Sequence, residues 1–135
     1  MDLRNSGSDL DRVLSRIPWT SWSPTYASDG GSAPTVTTNT ALYYQIGKLI
    51  YFNLDCTITA VSGAAGTFLA SLPFTPSDSA GNFILGMGME NGLTGVFLRG
   101  HWQTSASKMG ISTYLNNTVI VLNYRPTICG RYRIA

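Results

Sequence analysis

The sequence predicts an all-β fold, an antiparallel β-sandwich of seven to eight strands that is jelly-roll-like and preceded by a short N-terminal helix. Three observations carry this. In residues 48–60 (KLIYFNLDCTITA), Ile50, Phe52, Leu54, Cys56, Ile58 and Ala60 fall on one side, and Tyr51, Asn53, Asp55, Thr57 and Thr59 on the other. A strand points successive side chains to opposite faces, so this segment is a strand with one buried and one wet face. Antiparallel sandwiches and small barrels are built that way. Glycine, proline and Asn-Gly turn signals also recur between short apolar runs along the chain. Finally, charged residues make up only 12% of the chain, about half the usual share of roughly 25%, and Gly, Ser, Thr and Asn take their place. The aromatic and β-branched content is too high for a disordered chain.

The 135 residues suit one core. Residues 1–18 are expected to form a short helical or oligomerisation segment, and residues 19–135 the β-sandwich domain. In residues 8–17, Ser8 caps a helix, Asp11 completes a capping box and Pro18 ends it. Leu10, Val13, Leu14 and Ile17 form its apolar stripe, and Leu3 extends the stripe at seven-residue spacing. So short a helix is marginal alone in water. The stripe therefore either folds back on the sheet or meets copies of itself as a bundle. With Trp22, these four residues are the candidate subunit contacts.

Residues 18–26 (PWTSWSPTY) are extended and aromatic, and residues 27–34 form a loop turned at Gly30-Gly31. A strand over residues 36–46 turns at Gly47-Lys48 into the long strand. After a turn at 61–66, residues 67–72 make a short strand that stops at Pro73. Residues 73–82 form a loop, with one helical turn possible at 77–80. Gly86 and Gly88, in the next apolar run (83–89), imply a bulge or the close approach of another backbone. Asn91-Gly92 predicts a hairpin turn into residues 93–102. Residues 109–115 and 118–124 predict a second hairpin, turned at Asn116-Asn117. Residues 131–134 close the fold.

Net charge is +2, with the arginines scattered, so no nucleic-acid stripe is present. The N-terminus lacks the positive and apolar regions of a signal peptide. No apolar run reaches membrane-spanning length, so no membrane insertion is expected. Asn116-Asn117-Thr118 matches a glycosylation sequon, which composition alone explains. Cys56, on the apolar face, reads as a buried thiol, and a bridge to Cys129 stays open.

Catalytic signals are sparse. His101 is the single histidine, and no G-x-S-x-G elbow accompanies it. It shows no metal-ligand spacing with Glu90 or the cysteines, although a copy on each subunit about a threefold axis would bring histidines together. No metal and no cofactor are expected. A glycosidase needs two carboxylates across a cleft, and the β-region offers a thin acidic supply of Asp29, Asp55, Asp78 and Glu90, with Asp55 on the polar face of a strand and Glu90 beside a turn. Sugar binding instead needs an aromatic platform ringed by amides and hydroxyls. Trp102 with His101, Arg99, Gln103 and Tyr114 is the candidate sugar-binding group, helped by Asn91, Asn116 and Asn117 in the turns. The alternative for Trp102 is a place in the core or an interface.

Four segments in one order resemble the C-terminal domains of bacteriophage tail fibres and tailspikes. Residues 19–25 (WTSWSPT) are similar to their W-x-P-T opening, and residues 44–52 (YQIGKLIYF) to their Y-x-x-I-G-x-x-V-x-F segment. Leu72-Pro73-Phe74 matches L-P-F, and Gly130-Arg131-Tyr132 the closing G-x-Y. The resemblance implies a trimeric β-sandwich at a fibre tip, synthesised in the bacterial host cytoplasm and carried on the virion. Its partners would be a bacterial surface glycan or outer-surface protein and other tail-fibre or baseplate components. It also leaves open a trimerisation or connector module without a receptor site, and a glycan-depolymerising tailspike fragment.

Overall fold

A computed structural model describes residues 17–77, 84–103 and 107–134. Among these the chain is all β: β1 (Thr20–Ser21), β2 (Tyr26–Ser28), β3 (Thr35–Ile46), β4 (Leu49–Ala60), β5 (Phe68–Ser71), β6 (Ile84–Glu90), β7 (Phe97–Gln103), β8 (Lys108–Thr113) and β9 (Pro126–Arg133). They form one antiparallel sheet in the order β1-β3-β4-β9-β6-β7-β8-β5-β2, curled into a half-barrel. The expected antiparallel all-β class holds. The expected two-sheet, jelly-roll-like arrangement is replaced by a single sheet, because β9 inserts between β4 and β6 and joins both ladders. Period-two alternation cannot distinguish the two cases, since each hides one face of every strand.

One short segment ties the two ends of the sheet together. Between β1 and β2, the Trp22 backbone N–H donates to Ala41 O on β3 at 3.1 Å, while its indole Nε1 donates to Ser71 O on β5 at 3.2 Å. Ser71 and Thr25 exchange two further bonds, and the Tyr26 and Thr38 hydroxyls lie 2.6 Å apart. Exposed sheet edges invite foreign strands, and this strap brings the two edges to each other instead. Trp22, expected at a subunit contact, is thus engaged within its own chain, with its ring edge-on to Tyr43 and Phe52.

The concave face holds the core. Ile50, Phe52, Leu54, Cys56 and Ile58 of β4 are all buried, as their alternation predicts. All but Ile58 join Phe68, Leu98, Met109, Ile111 and Ile128 in one hydrophobic cluster. Burying each such side chain contributes roughly 1.5–3 kcal/mol. Cys56 is enclosed, and burial pushes its thiol up to about 12. Cys129 is exposed on the other side of the sheet, so both cysteines are free and the bridge left open by the sequence is absent.

The glycines of β6 do what their spacing implies. A Cβ on Gly88 would sit 1.7 Å from Thr127 O, and one on Gly86 2.6 Å from Cys129 O, so β6 presses on β9 closer than a side chain allows. A register shift between Ile84 and Gly86 adds the bulge. Two expectations need correction. The strand predicted over 93–102 begins only at Phe97, because the Glu90 carboxylate folds residues 91–96 into a longer loop. Residues 118–124 are no strand beyond one bridge from Thr118 to Ser112. There the chain leaves β8, buries Val119 and Ile120, and attaches Asn123 and Tyr124 to Ile58 of β4. The closing strand starts at Pro126, five residues earlier than predicted. Residues 8–16 of the expected helix, with Leu10, Val13 and Leu14, and residues 78–80 of the helical turn expected over 77–80 lie outside the described residues, while Ile17 is half-buried.

Candidate functional site

The outer, convex face of the half-barrel carries the functional candidates. Along β7, Phe97, Arg99, His101 and Gln103 point outward, while Leu98 and Trp102 point into the core. Trp102 is only 5% exposed and belongs to the hydrophobic cluster, so it offers no ring to a ligand. The sequence-based group therefore divides. Arg99, His101 and Gln103 share the outer face, Tyr114 is exposed in the turn after β8, and Trp102 lies on the opposite side of the sheet.

Arg99 begins a polar row running across β7, β8 and the loops beside β5 and β2. Its Nε donates to Ser112 Oγ at 3.3 Å. Asp29 Oδ1 accepts the Thr67 N–H at 2.7 Å, and the Asp29 N–H donates back to Thr67 O. Between these pairs lies a groove of about 290 Å³, lined by Asp29, Gly66, Thr67, Ser112, Asn116, Asn117 and Thr118. Three loops build it: residues 29–34, 61–67 and 114–118. The last is fixed by its own backbone. Asn116 takes φ 66°, a left-handed value that asparagine tolerates, and the Asn117 N–H donates to Thr113 Oγ1 at 3.0 Å. Backbone bonds thus hold the turn while both asparagines line the groove.

His101 and Gln103 flank this row. The Gln103 amide nitrogen lies 3.0 Å from His101 Nε2, and both cover Gly110 of β8, where a Cβ would strike the imidazole at 2.7 Å. His101 Nδ1 is buried without a hydrogen-bond partner. Burial, followed by the nearby Arg99 charge, lowers the histidine pKa against the pull of Asp29. The imidazole is therefore neutral at pH 7.

The carboxylates that a glycosidase would use are both engaged in structure. Asp55 pairs with Arg125 at 2.6 Å and accepts from Asn39 and Thr127, and the Arg125 bond holds its carboxyl below the ordinary range. Glu90 is 0% exposed. Its two oxygens accept the N–H groups of Gly92, Leu93, Thr94 and Arg125 and the Thr94 hydroxyl, at 2.5 to 3.2 Å. Burial alone would raise its pKa, but these donors outweigh burial and bring it down to about 2. Neither group can act as a proton donor near neutral pH. Among the described residues no cluster of three or more His, Cys, Asp or Glu side chains could hold a metal ion. No helix among them is long and apolar enough to cross a membrane.

The sequence reading missed Asp29, seen there only as part of a thin acidic supply. Its signal was position: it stands beside the Gly30-Gly31 turn, in a loop that the strap carries to β5. Comparison with known proteins finds no family model, no curated protein and no solved structure that matches the chain.

Proposed function

We propose that the chain is a host-attachment module of a bacteriophage tail fibre or tailspike, assembled as a homotrimer on the virion, that binds a surface glycan in the groove between Asp29 and Arg99. The observation that carries the binding reading is the groove itself. One carboxylate residue, two asparagines and three hydroxyl residues line a space near the lower end of ligand pockets, roughly 300 Å³, enough for one sugar ring. Sugars present dense donor and acceptor pairs, and amides and hydroxyls match both. The groove is built by loops on a rigid sheet, where binding residues concentrate.

The fibre reading draws support from packing. The segments that carry the family resemblance converge on one aromatic cluster. The Trp22 ring lies 6.5 Å from Phe52, Phe52 lies 6.0 Å from Tyr132, and Phe74 lies 5.4 Å from Tyr43. The Tyr132 hydroxyl donates to Phe74 O and accepts from the Phe74 N–H, joining the L-P-F and G-x-Y segments. The engaged states of Asp55 and Glu90 favour binding over depolymerisation.

Binding of labelled protein to host cells and to a glycan array tests the reading. Asn117→Ala removes an amide from the groove and keeps the backbone bonds of the turn. We expect it to abolish the signal while the melting temperature holds. Undiminished binding by this variant would overturn the site. An absence of binding by the native chain to every host tested would favour the connector module, and sedimentation as a monomer would remove the trimer.

A further inference from the structure

We propose that the groove between Asp29 and Arg99 selects sugars that carry a free, positively charged amine and turns away acidic ones. This selectivity rests on the glycan reading of the groove and narrows it to one class of sugar. Seven residues line the groove, and Asp29 is the only one of them with a charged side chain. The side chains of Asn116, Asn117, Thr67, Ser112 and Thr118 are neutral amides and hydroxyls. Each can both donate and accept, so they suit ring hydroxyls of any sugar. A carboxylate only accepts, and it holds a cationic donor more tightly than a neutral hydroxyl. Asp29 therefore sets the charge preference of the site.

The loops fix this carboxylate in place. Asp29 Oδ1 accepts the Thr67 N–H at 2.7 Å, and the Asp29 N–H donates to Thr67 O at 3.2 Å, so one oxygen is tied to the neighbouring loop. Among the described residues the other oxygen has no hydrogen-bond partner. Gly66 completes the seat. It takes φ 75°, a left-handed value, and a Cβ there would strike Asp29 Oδ1, so glycine alone lets the carboxylate lie against this loop. Asp29 itself is exposed and open to a ligand. Arg99 is bound to Ser112 Oγ through Nε at 3.3 Å and does not line the groove. An acidic sugar would thus set its carboxylate against Asp29 with no lining cation to receive it. An ammonium would instead meet an unpaired carboxylate oxygen. Exposure limits the gain, because water screens a surface pair. The expected preference is therefore about tenfold, within the reach of one charge-assisted hydrogen bond.

The probes are a glucosamine trisaccharide, its N-acetylated form and glucuronic acid. Each is titrated into the isotope-labelled full chain at low salt and about pH 6, where the amine carries its proton. The glucosamine trisaccharide should bind about tenfold more tightly than the N-acetylated form and shift the amides of Thr67 and Asn116 to Thr118, and glucuronic acid should bind least. Asp29→Asn keeps an oxygen for the Thr67 N–H, so the loop holds, and should erase the preference. In the native chain, salt at about 1 M should reduce the preference below about threefold, a reading that needs no variant. Equal or tighter binding of the N-acetylated form or of glucuronic acid would overturn the proposal. So would a preference that persists in Asp29→Asn or in high salt. If the groove amides ignore all three probes but shift with host polysaccharide, the amine preference falls and the glycan reading stands. If they ignore the polysaccharide as well, both fall.

Discussion

Replacing Glu90 by glutamine should destabilise the protein strongly, although no catalytic role is lost. The carboxylate accepts four backbone N–H groups and one hydroxyl that otherwise have no acceptor inside the 91–96 loop. Its fall from 4.5 to about 2 corresponds by linkage to about 3 kcal/mol. The carboxylate lies under an exposed loop, residues 91–95, so water screens it in part and this figure is an upper value. Glutamine has the shape of the protonated acid and turns an amide N–H₂ toward donors, so Glu90→Gln should cost up to about 3 kcal/mol at pH 7, at most roughly 10 °C in melting temperature. The sign with pH follows from a depressed acid. The stabilisation is complete above the unfolded value of 4.5 and is lost as pH falls toward 2. Urea unfolding of both proteins from neutral to acidic pH reads this directly. The native chain should lose its advantage over Glu90→Gln across that window. A difference below about 0.5 kcal/mol at pH 7, or one that does not shrink in acid, would refute the reasoning.

Three further outcomes follow from the geometry. Gly88→Ala places a methyl 1.7 Å from Thr127 O, so β6 must part from β9; we expect a loss above about 3 kcal/mol or no folded protein, read by circular dichroism and denaturant melts. Tyr132→Phe leaves the Phe74 N–H and C=O without the hydroxyl that serves both, at a cost of about 1–3 kcal/mol in the same melts. Asp55→Asn should cost no more than about 1 kcal/mol in spite of the 2.6 Å contact, because Arg125 is 48% exposed and water screens the pair; its small effect should shrink further in high salt.

What could be read from the sequence was what local periodicity encodes. The alternation of 48–60 assigns every inward residue of β4 correctly, because the side-chain period is fixed by the backbone. Gly86 and Gly88 announced a close backbone, and β9 lies there. Long-range pairing was not legible. Nothing in residues 126–130 says that they insert between β4 and β6, so a single curled sheet and a sandwich looked alike. Residues 118–124 carry strand-forming side chains, yet Val119 and Ile120 leave β8 to enter the core, a tertiary preference that overrides local propensity. Glu90 beside Asn91-Gly92 read only as a carboxylate next to a turn, and it is the acceptor that organises a six-residue loop. Trp102 was offered as a platform because composition does not tell which face of a strand is wet. Its neighbours Leu98 and Gly100 on the same face are buried, and that parity was the clue. Asp29 and Asn117 are 88 residues apart by number, so only the fold brings them to one groove.

The most direct test of the central claim is a map of backbone amide shifts as host surface polysaccharide is titrated into the isotope-labelled protein. The perturbed amides should cluster at Asp29, Thr67, Ser112 and Asn116 to Thr118, with Arg99 at the margin. Shifts confined to the outer face around Tyr51 and Met87, or a spectrum unchanged by the polysaccharide of a bound host, would contradict it.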